Sequence, residues 1–397
     1  MTDVHTTLAE VFRQEVGLLT SALVSILGDF AVAEEIVQDT LLVALERWPV
    51  DGIPERPGAW LLTVARRRAL NQLSRDACYR TKLAQLEQPV PSAPDDRVRL
   101  MFTCCHPALS RPAQIALTLR AVCGFTTAQI AHAFLVKEST VAQRIVRARR
   151  KIVAAHIPYR MPSDGDMSDR LSEVLVVLYL MFTEGYLASS GTLPTRRDLA
   201  EDAAWLATLV SQHMPGEPEP LGLLALMRLH LARSKARFTS AGELILLQDQ
   251  DRTLWDQPMI AEGIALIEHA AALRRPGPYQ VEAAIVACHA EAATWTDTDW
   301  RQILLLYDLL LQMKPSPVVR LNRAVALWQV VGPEAALGEV NTLVGDLENY
   351  HLFHAIRGEL LLELSKREQA RASTLRAWEL TSNRAEQELL ARRLLDW

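Results

Sequence analysis

Six cations stand in the stretch KESTVAQRIVRARRKI, Lys137 to Ile152: Lys137, Arg144, Arg147, Arg149, Arg150 and Lys151, against the single acid Glu138. Cationic side chains at that density suit phosphate binding, and Gln143 among them can bond an adenine edge twice. Two other stretches hold residue types capable of chemistry. TCCH (Thr103–His106), with Cys123 and His132 downstream, offers metal-ligating groups. Structural zinc sites use two spaced ligand pairs, and the adjacent Cys104 and Cys105 cannot easily both ligate from one helix. They read as packing residues, and no metal or other cofactor is expected. DQDR (Asp249–Arg252) puts carboxylates in a polar loop without a paired motif of defined roles. It is expected to hold the fold or a dock, and the chain is not expected to be an enzyme.

The basic stretch is an anomaly in an acidic chain. Residues 1–160 carry 20 Lys+Arg against 15 Asp+Glu, or +5, and residues 161–397 carry 22 against 32, or −10, which together make the −5 of the whole. Within the first part, residues 81–160 alone stand at 12 against 4, or +8. A polyanionic partner is therefore expected for the N-terminal part only. Five cysteines in 397 residues suggest no disulfide framework and a cytoplasmic location. MTDVHTTLAE has no basic segment leading into an apolar run, so no signal peptide is expected. The longest strongly apolar run, VLVVLYLMF (Val174–Phe182), falls short of the ~20 residues a bilayer requires and reads as a buried helix.

These residues need helices to position them. Thr126 followed by Gln129 is a capping-box pattern, and Ile130 and Phe134 then form an apolar face. After a short turn at Leu135–Val136, Val141, Ile145, Ala148 and Ile152 recur as one inward stripe. That leaves Glu138, Ser139, Ala142, Gln143, Val146, Arg147 and Arg150 outward. Helix, tight turn and basic helix make a helix-turn-helix, whose second helix enters a major groove.

Elsewhere the periodicity is also helical, and no alternating strand is convincing. In AEEIVQDTLLVALERW, Ile36, Val37, Thr40, Leu41, Ala44 and Leu45 mark one face. A helix from Ala59 is expected after Pro57–Gly58, with Trp60, Leu61, Val64 and Ala65 packing and Arg66, Arg67, Arg68 and Arg75 free for phosphates. The Pro-rich breaks LEQPVPSAPDD and HIPYRMPSDGDMSD divide the chain. The expected units are 1–80, a linker 81–95, 96–156, a linker 157–169, and 170–397. LLLYDLLLQMKPSPVVRLN reads as a helix ended by Pro315 and Pro317. In the last unit, RAVALWQVVGPEAALGEV overlays GELLLELSKREQARASTL at an offset of 35, pairing Leu327 with Leu362, Ala335 with Ala370 and Val340 with Leu375. The period is near the ~34 of tetratricopeptide repeats; generic helical packing is the other account.

TTAQIAHAFLVKESTVAQRIVRARRKI resembles the −35-reading domain of bacterial extracytoplasmic-function sigma factors, through Ile130, Ala131, Thr140, Val141, Arg144, Arg147, Ala148 and Arg149. GDFAVAEEIVQDTLLVALERW resembles the helix that those factors dock on the clamp of RNA polymerase. PGAWLLTVARRRALNQLSR resembles their −10-reading helix. The two halves stand in the family's order and cover about 150 residues. DDRVRLMFTCCHPALS, MFTEGY and LLQDQDRTLWD are similar to the subgroup with a long tetratricopeptide-like C-terminal extension.

The resemblance implies an all-α chain: two small helical sigma domains, the second with the helix-turn-helix, then a large tetratricopeptide-like domain. It implies polymerase contacts at Asp29, Glu34, Glu35, Gln38 and Asp39, and −10 contacts at Trp60, Arg66, Arg67, Arg68 and Arg75. It implies −35 contacts at Thr126, Thr127, Lys137, Ser139, Thr140, Ala142, Gln143, Arg144, Arg147 and Arg150. The loop PVDGIPERPG lies where the family captures an unstacked base. The chain departs from the family at Arg67, where relatives often carry Asn, and at Lys137, where Ser commonly caps; Ser139 or Thr140 is expected to cap instead.

The implied function is to bind core RNA polymerase, recognise −10 and −35 elements and direct transcription initiation, with the C-terminal domain modulating activity. The implied partners are core polymerase, promoter DNA and a protein partner of the C-terminal domain, with no membrane. The charge asymmetry further suggests that the acidic extension covers the basic helix in the free protein. Two other readings stay open. One is a helix-turn-helix regulator with a repeat-type sensor, which gives the docking and −10-like helices no purpose. The other is an α-helical enzyme with an incidental helix-turn-helix.

Overall fold

A computed structural model describes residues 4–28, 30–73, 95–134, 136–155, 157, 164–186, 190–191 and 197–395. The chain divides into two compact units, Met1–Leu180 and Met181–Trp397. The fold is helical; among the described residues, extended pairing amounts to the two-residue parallel match of β1 (Ser190–Gly191) with β2 (Ser382–Asn383) and a bridge from Phe238 to Leu244. No described helix is long and apolar enough to cross a membrane.

The first unit begins with α1 (Val4–Leu27), α2 (Phe30–Asp51) and α3 (Pro57–Leu73). Ile36, Val37, Thr40, Ala44 and Trp48 recur at helical spacing and are buried along α2. Leu61, Ala65 and Ala69, each four residues apart, are fully buried on α3. Two boundaries differ from expectation. Helix α3 starts at Pro57 itself, since proline is tolerated in the first turn, where no N–H bond is needed. Helix α2 runs through Pro49 to Asp51, so the segment expected as a loop from Pro49 shortens to residues 52–56.

The next elements are α4 (Asp95–Cys104), α5 (Arg111–Ala121), α6 (Thr127–Ala133) and α7 (Glu138–Ala154). These do not stand apart from α1–α3. Gly17 on α1 is buried against the end of α5, and a Cβ there would sit 2.9 Å from the Val122 carbonyl oxygen. Only glycine lets the two backbones come this close. The expected linker residues 81–94 and 158–163 lie outside the described residues.

Helix α8 (Asp164–Tyr186) holds the apolar run, with Val174, Val177, Leu178 and Met181 fully buried; the division between the units falls within it. The second unit continues with α9 (Arg197–His213), α10 (Pro218–Ala232), α11 (Gln257–Ala272), α12 (Pro278–Glu291), α13 (Trp300–Met313), α14 (Pro317–Val331) and α15 (Pro333–Asn341). A short α16 (Val344–Leu347), then α17 (His351–Glu363), α18 (Arg367–Leu380) and α19 (Arg384–Leu395) complete it. Its core is a series of clusters handed from one helix pair to the next. Leu229, Ile260 and Ala287 form one, Ile285, Ile303 and Ala326 the next, and Ala324, Val340 and Leu360 another. Each repeat thus buries its apolar face on its neighbour, the solenoid principle.

The repeat is present, but its offset is 34, not 35. Ala336 and Ala370 are both fully buried, as are Ala324 and Gly358, whereas Ala335 and Leu375 are exposed. One residue of slip rotates a helix by ~100°, so burial selects the register that letter matching missed. Gly358 is the contact point of its pair: a Cβ there would meet the Thr374 hydroxyl at 2.5 Å.

Candidate nucleic-acid interface

The helix-turn-helix is assembled by local bonds. Thr126 Oγ1 accepts from the Gln129 N–H at 3.1 Å, and the Thr126 N–H donates to Gln129 Oε1 at 2.8 Å, completing the capping box. Thr127 Oγ1 donates to Glu138 Oε1 at 2.9 Å, joining the start of α6 to the first turn of α7. Val141, Ile145, Ala148 and Ile152 are the buried residues of α7. Thr126→Ala is expected to cost about 1 kcal/mol and to speed amide exchange at Gln129. Unchanged exchange there would mean that the cap does not hold α6.

The opposite face of α7 presents Ser139, Gln143, Val146, Arg147, Arg150 and Lys151 to solvent, with Thr140, Ala142 and Arg144 half-buried beside them. The N-cap of α7 is Lys137, in extended conformation, with no side-chain cap bond. Neither Ser139 nor Thr140 caps, because the helix has already begun at Glu138. Glu138 instead sets a negative charge in the first turn, where the helix dipole favours it.

One of the six cations faces the protein. Arg149 reaches Glu34 on α2, which is 8% exposed, and Arg120 on α5 donates from Nε to the other Glu34 oxygen at 2.8 Å. Arg120 also donates to the Phe125 carbonyl at 3.1 Å. Burial lowers both guanidinium pKa values, that of Arg149 to about 10, so Arg149 stays charged at neutral pH. A buried charge is tolerable only with partners of this kind. Sequence reasoning missed this clasp. Its one local signal is Arg120 on a helix whose other residues from Ala113 to Ala121 are all buried.

Among the remaining polymerase candidates, Glu35 and Gln38 are exposed on α2, and Asp39 is half-buried. Asp39 pairs with Arg68 on α3 at 2.6 Å, which joins one expected polymerase residue to one expected −10 residue. Both side chains of that pair keep more than a third of their surface in water, so it contributes little to stability. On the same helix Arg67 is exposed and Arg66 half-buried. Trp60 packs edge-on against Trp48, with ring centroids 5.7 Å apart. Asp29 and Arg75 lie outside the described residues.

The cysteines among the other candidates, Cys104, Cys105 and Cys123, are packed in the core, and the His132 side chain lies outside the described residues. Cys104 and Cys105 are buried; burial raises both thiol pKa values, that of Cys105 to about 12, and Cys105 Sγ lies 3.5 Å from Thr118 Oγ1. Among the described residues no group of three or more His, Cys, Asp or Glu could hold a metal ion. In DQDR, Gln250 donates to the Ile245 carbonyl and Arg252 to the carbonyls of His289 and Ala292 at 2.7 and 2.6 Å. Asp251 accepts from the Thr253 N–H at 2.9 Å. Arg252 thus ties the loop to the end of α12, while Gln250 and Asp251 bond within their own segment.

Comparison with known proteins matches residues 11–77 to sigma-70 region 2 and residues 99–152 to sigma-70 region 4. Residues 170–271 match a family of unknown function, DUF6596. An uncharacterised protein of Rhizobium meliloti strain 1021 is 42% identical over 380 residues, covering 92% of this chain and 90% of its own length. The ECF RNA polymerase sigma factor SigL of Mycobacterium tuberculosis is 35% identical over 133 residues, 32% of this chain and 75% of its own length. No solved structure matches the chain significantly.

Proposed function

Since the chain belongs to the ECF RNA polymerase sigma factors, we propose that it joins core polymerase through α2 and reads the two promoter elements through α3 and α7. The observation that carries this reading is the outward face of α7. There Ser139, Gln143, Arg147 and Arg150 stand exposed on a capped helix-turn-helix within the region 4 match. Gln143, with Ser139 and Ala142, is the base reader, and Arg144, Arg147, Arg150 and Lys137 hold phosphates. Thr126, Thr127 and Thr140 set the frame of the motif. Trp60, Arg66, Arg67 and Arg68 serve the −10 element, and Glu35, Gln38 and Asp39 the polymerase. A helix-turn-helix regulator would leave the region 2 match at 11–77 without a purpose.

The domain limits follow: 1–80 for polymerase and the −10 element, 96–156 for the −35 element, and 170–397 for a helical extension that modulates activity. The decisive experiment is transcription in vitro from a promoter library with purified core polymerase. Specific initiation that depends on this chain is the expected result. Failure to bind core polymerase would overturn the reading, and unchanged activity after truncation near residue 165 would remove the extension's modulating role.

The Glu34 clasp bears on how the two readers reach DNA. Elements named −10 and −35 lie about 25 base pairs apart, roughly 85 Å at 3.4 Å per pair. A compact body of the first unit's length has a radius of gyration of about 16 Å. Regions 2 and 4, held together through Glu34, Arg120 and Arg149, cannot occupy both elements at once. Residues 74–94 between α3 and α4 can span roughly 70 Å when extended. The clasp therefore opens on promoter engagement, and Glu34 meets polymerase only after releasing its arginines.

A further inference from the structure

The helical extension contains a cavity of about 400 Å³ that the promoter-reading elements do not use. Its walls come from α13, α14, α17 and α19, and Leu244, Leu246, Leu247 and Gln248 line one side. That side segment follows a small hairpin, in which the Thr239 N–H donates to the Glu243 carbonyl at 2.9 Å and the Ile245 N–H to the Arg237 carbonyl at 2.8 Å. At one end three rings meet. Trp295 and Trp300 lie 4.6 Å apart between centroids, and His289 is stacked on Trp295 at 6.1 Å. Ile303, Leu352 and Ile356 supply an aliphatic wall.

The charged groups that reach the cavity already have partners. Glu359 pairs with Arg393. Glu386 accepts from the Thr381 hydroxyl at 2.5 Å and lies 3.1 Å from His351 Nε2. Burial, with Arg233 and Arg252 nearby, lowers the His289 pKa to about 4, so the ring beside the tryptophans is neutral at physiological pH. Two ion pairs also join the walls: Arg392 to Glu243 at 2.5 Å links α19 to the hairpin, and Arg393 to Glu359 links it to α17.

An open solenoid presents a long concave surface suited to an extended peptide. Here the last helix and the hairpin narrow that surface into one half-open chamber, with a volume in the range of small-molecule sites. We propose that the chamber binds one uncharged small molecule with an aromatic or alicyclic body. A charged ligand would lose its hydration without finding a free counter-charge, whereas an apolar body gains by leaving water against the aromatic wall.

The test titrates the full chain with N-phenyl-1-naphthylamine and with 1-anilinonaphthalene-8-sulfonate, which adds one sulfonate to the same ring frame. The expected result is one uncharged probe per chain, bound at least ten-fold more tightly than the sulfonate. Ala355→Phe and Leu352→Trp, which put bulk into the chamber, are each expected to weaken the uncharged probe at least ten-fold. Leu352 is 37% exposed, so enlarging it does not press on the core, and an unchanged melting temperature checks its folding. The proposal is overturned if the uncharged probe does not bind, if the sulfonate binds equally well, or if a folded Leu352→Trp chain keeps full affinity.

Discussion

Arg149→Met is expected to open the first unit and to tighten, not weaken, binding to core polymerase. The substitution removes one of two cations from a carboxylate that is 8% exposed, and Arg120 alone must then hold it. Losing a charged partner in so dry a setting costs roughly 2–3 kcal/mol, less than the loss of a fully buried pair because the Arg149 side chain keeps 21% of its surface in water. Every 1.4 kcal/mol is tenfold, so the closed state loses about 30-fold or more in population ratio. A closed state that blocks docking lowers apparent affinity by the fraction that is competent, and opening it removes that penalty. Spin labels at the exposed positions Glu46 and Val153 should move apart, and polymerase affinity should rise by up to that factor. Glu34→Gln should open the unit in the same way but gain no affinity, because it also removes the carboxylate assigned to polymerase. Unmoved labels in both variants would defeat the clasp. Equal gains in both would defeat the polymerase role of Glu34.

Gln143→Ala and Arg147→Ala should fail in different ways. A glutamine bonded twice to adenine contributes about 1–3 kcal/mol of discrimination. Its loss should flatten preference at one −35 base by roughly 5- to 150-fold and leave other positions alone. An arginine on phosphate carries no sequence information. Arg147→Ala should weaken all promoters evenly and reduce the slope of log affinity against log salt by about 0.9. Both are read from holoenzyme binding to single-base promoter variants across a salt series. If Arg147→Ala changes base preference while Gln143→Ala does not, the two roles are reversed.

The parts of this protein that rest on short-range rules were legible in its residues. A helix places i, i+3 and i+4 on one face, so Val141, Ile145, Ala148 and Ile152 announced the buried stripe of α7. Thr126 and Gln129, three residues apart, announced the cap that opens the motif. The charge excess of residues 81–160 pointed to a polyanion, and the helical period throughout determined the all-α class. Errors gathered where shifts of one to three residues mattered. The start of α3 moved to Pro57, the cap of α7 to Lys137, and the repeat offset to 34. Periodicity tolerates such slips, but packing against a particular neighbour does not.

What the sequence by itself determined, then, is the helical class, the helix-turn-helix and the family. Each follows from side chains within a few positions of one another, or from motifs read in order. Tertiary structure alone decided which of the six cations turns inward. Glu34 meets Arg120 and Arg149 across 86 and 115 residues, a pairing that no local period encodes. It also decided that the extension holds a half-open chamber beside the hairpin, where Glu243 meets Arg392 across 149 residues. Such contacts depend on how whole helices stack, and stacking is settled only when every apolar stripe finds its partner at once.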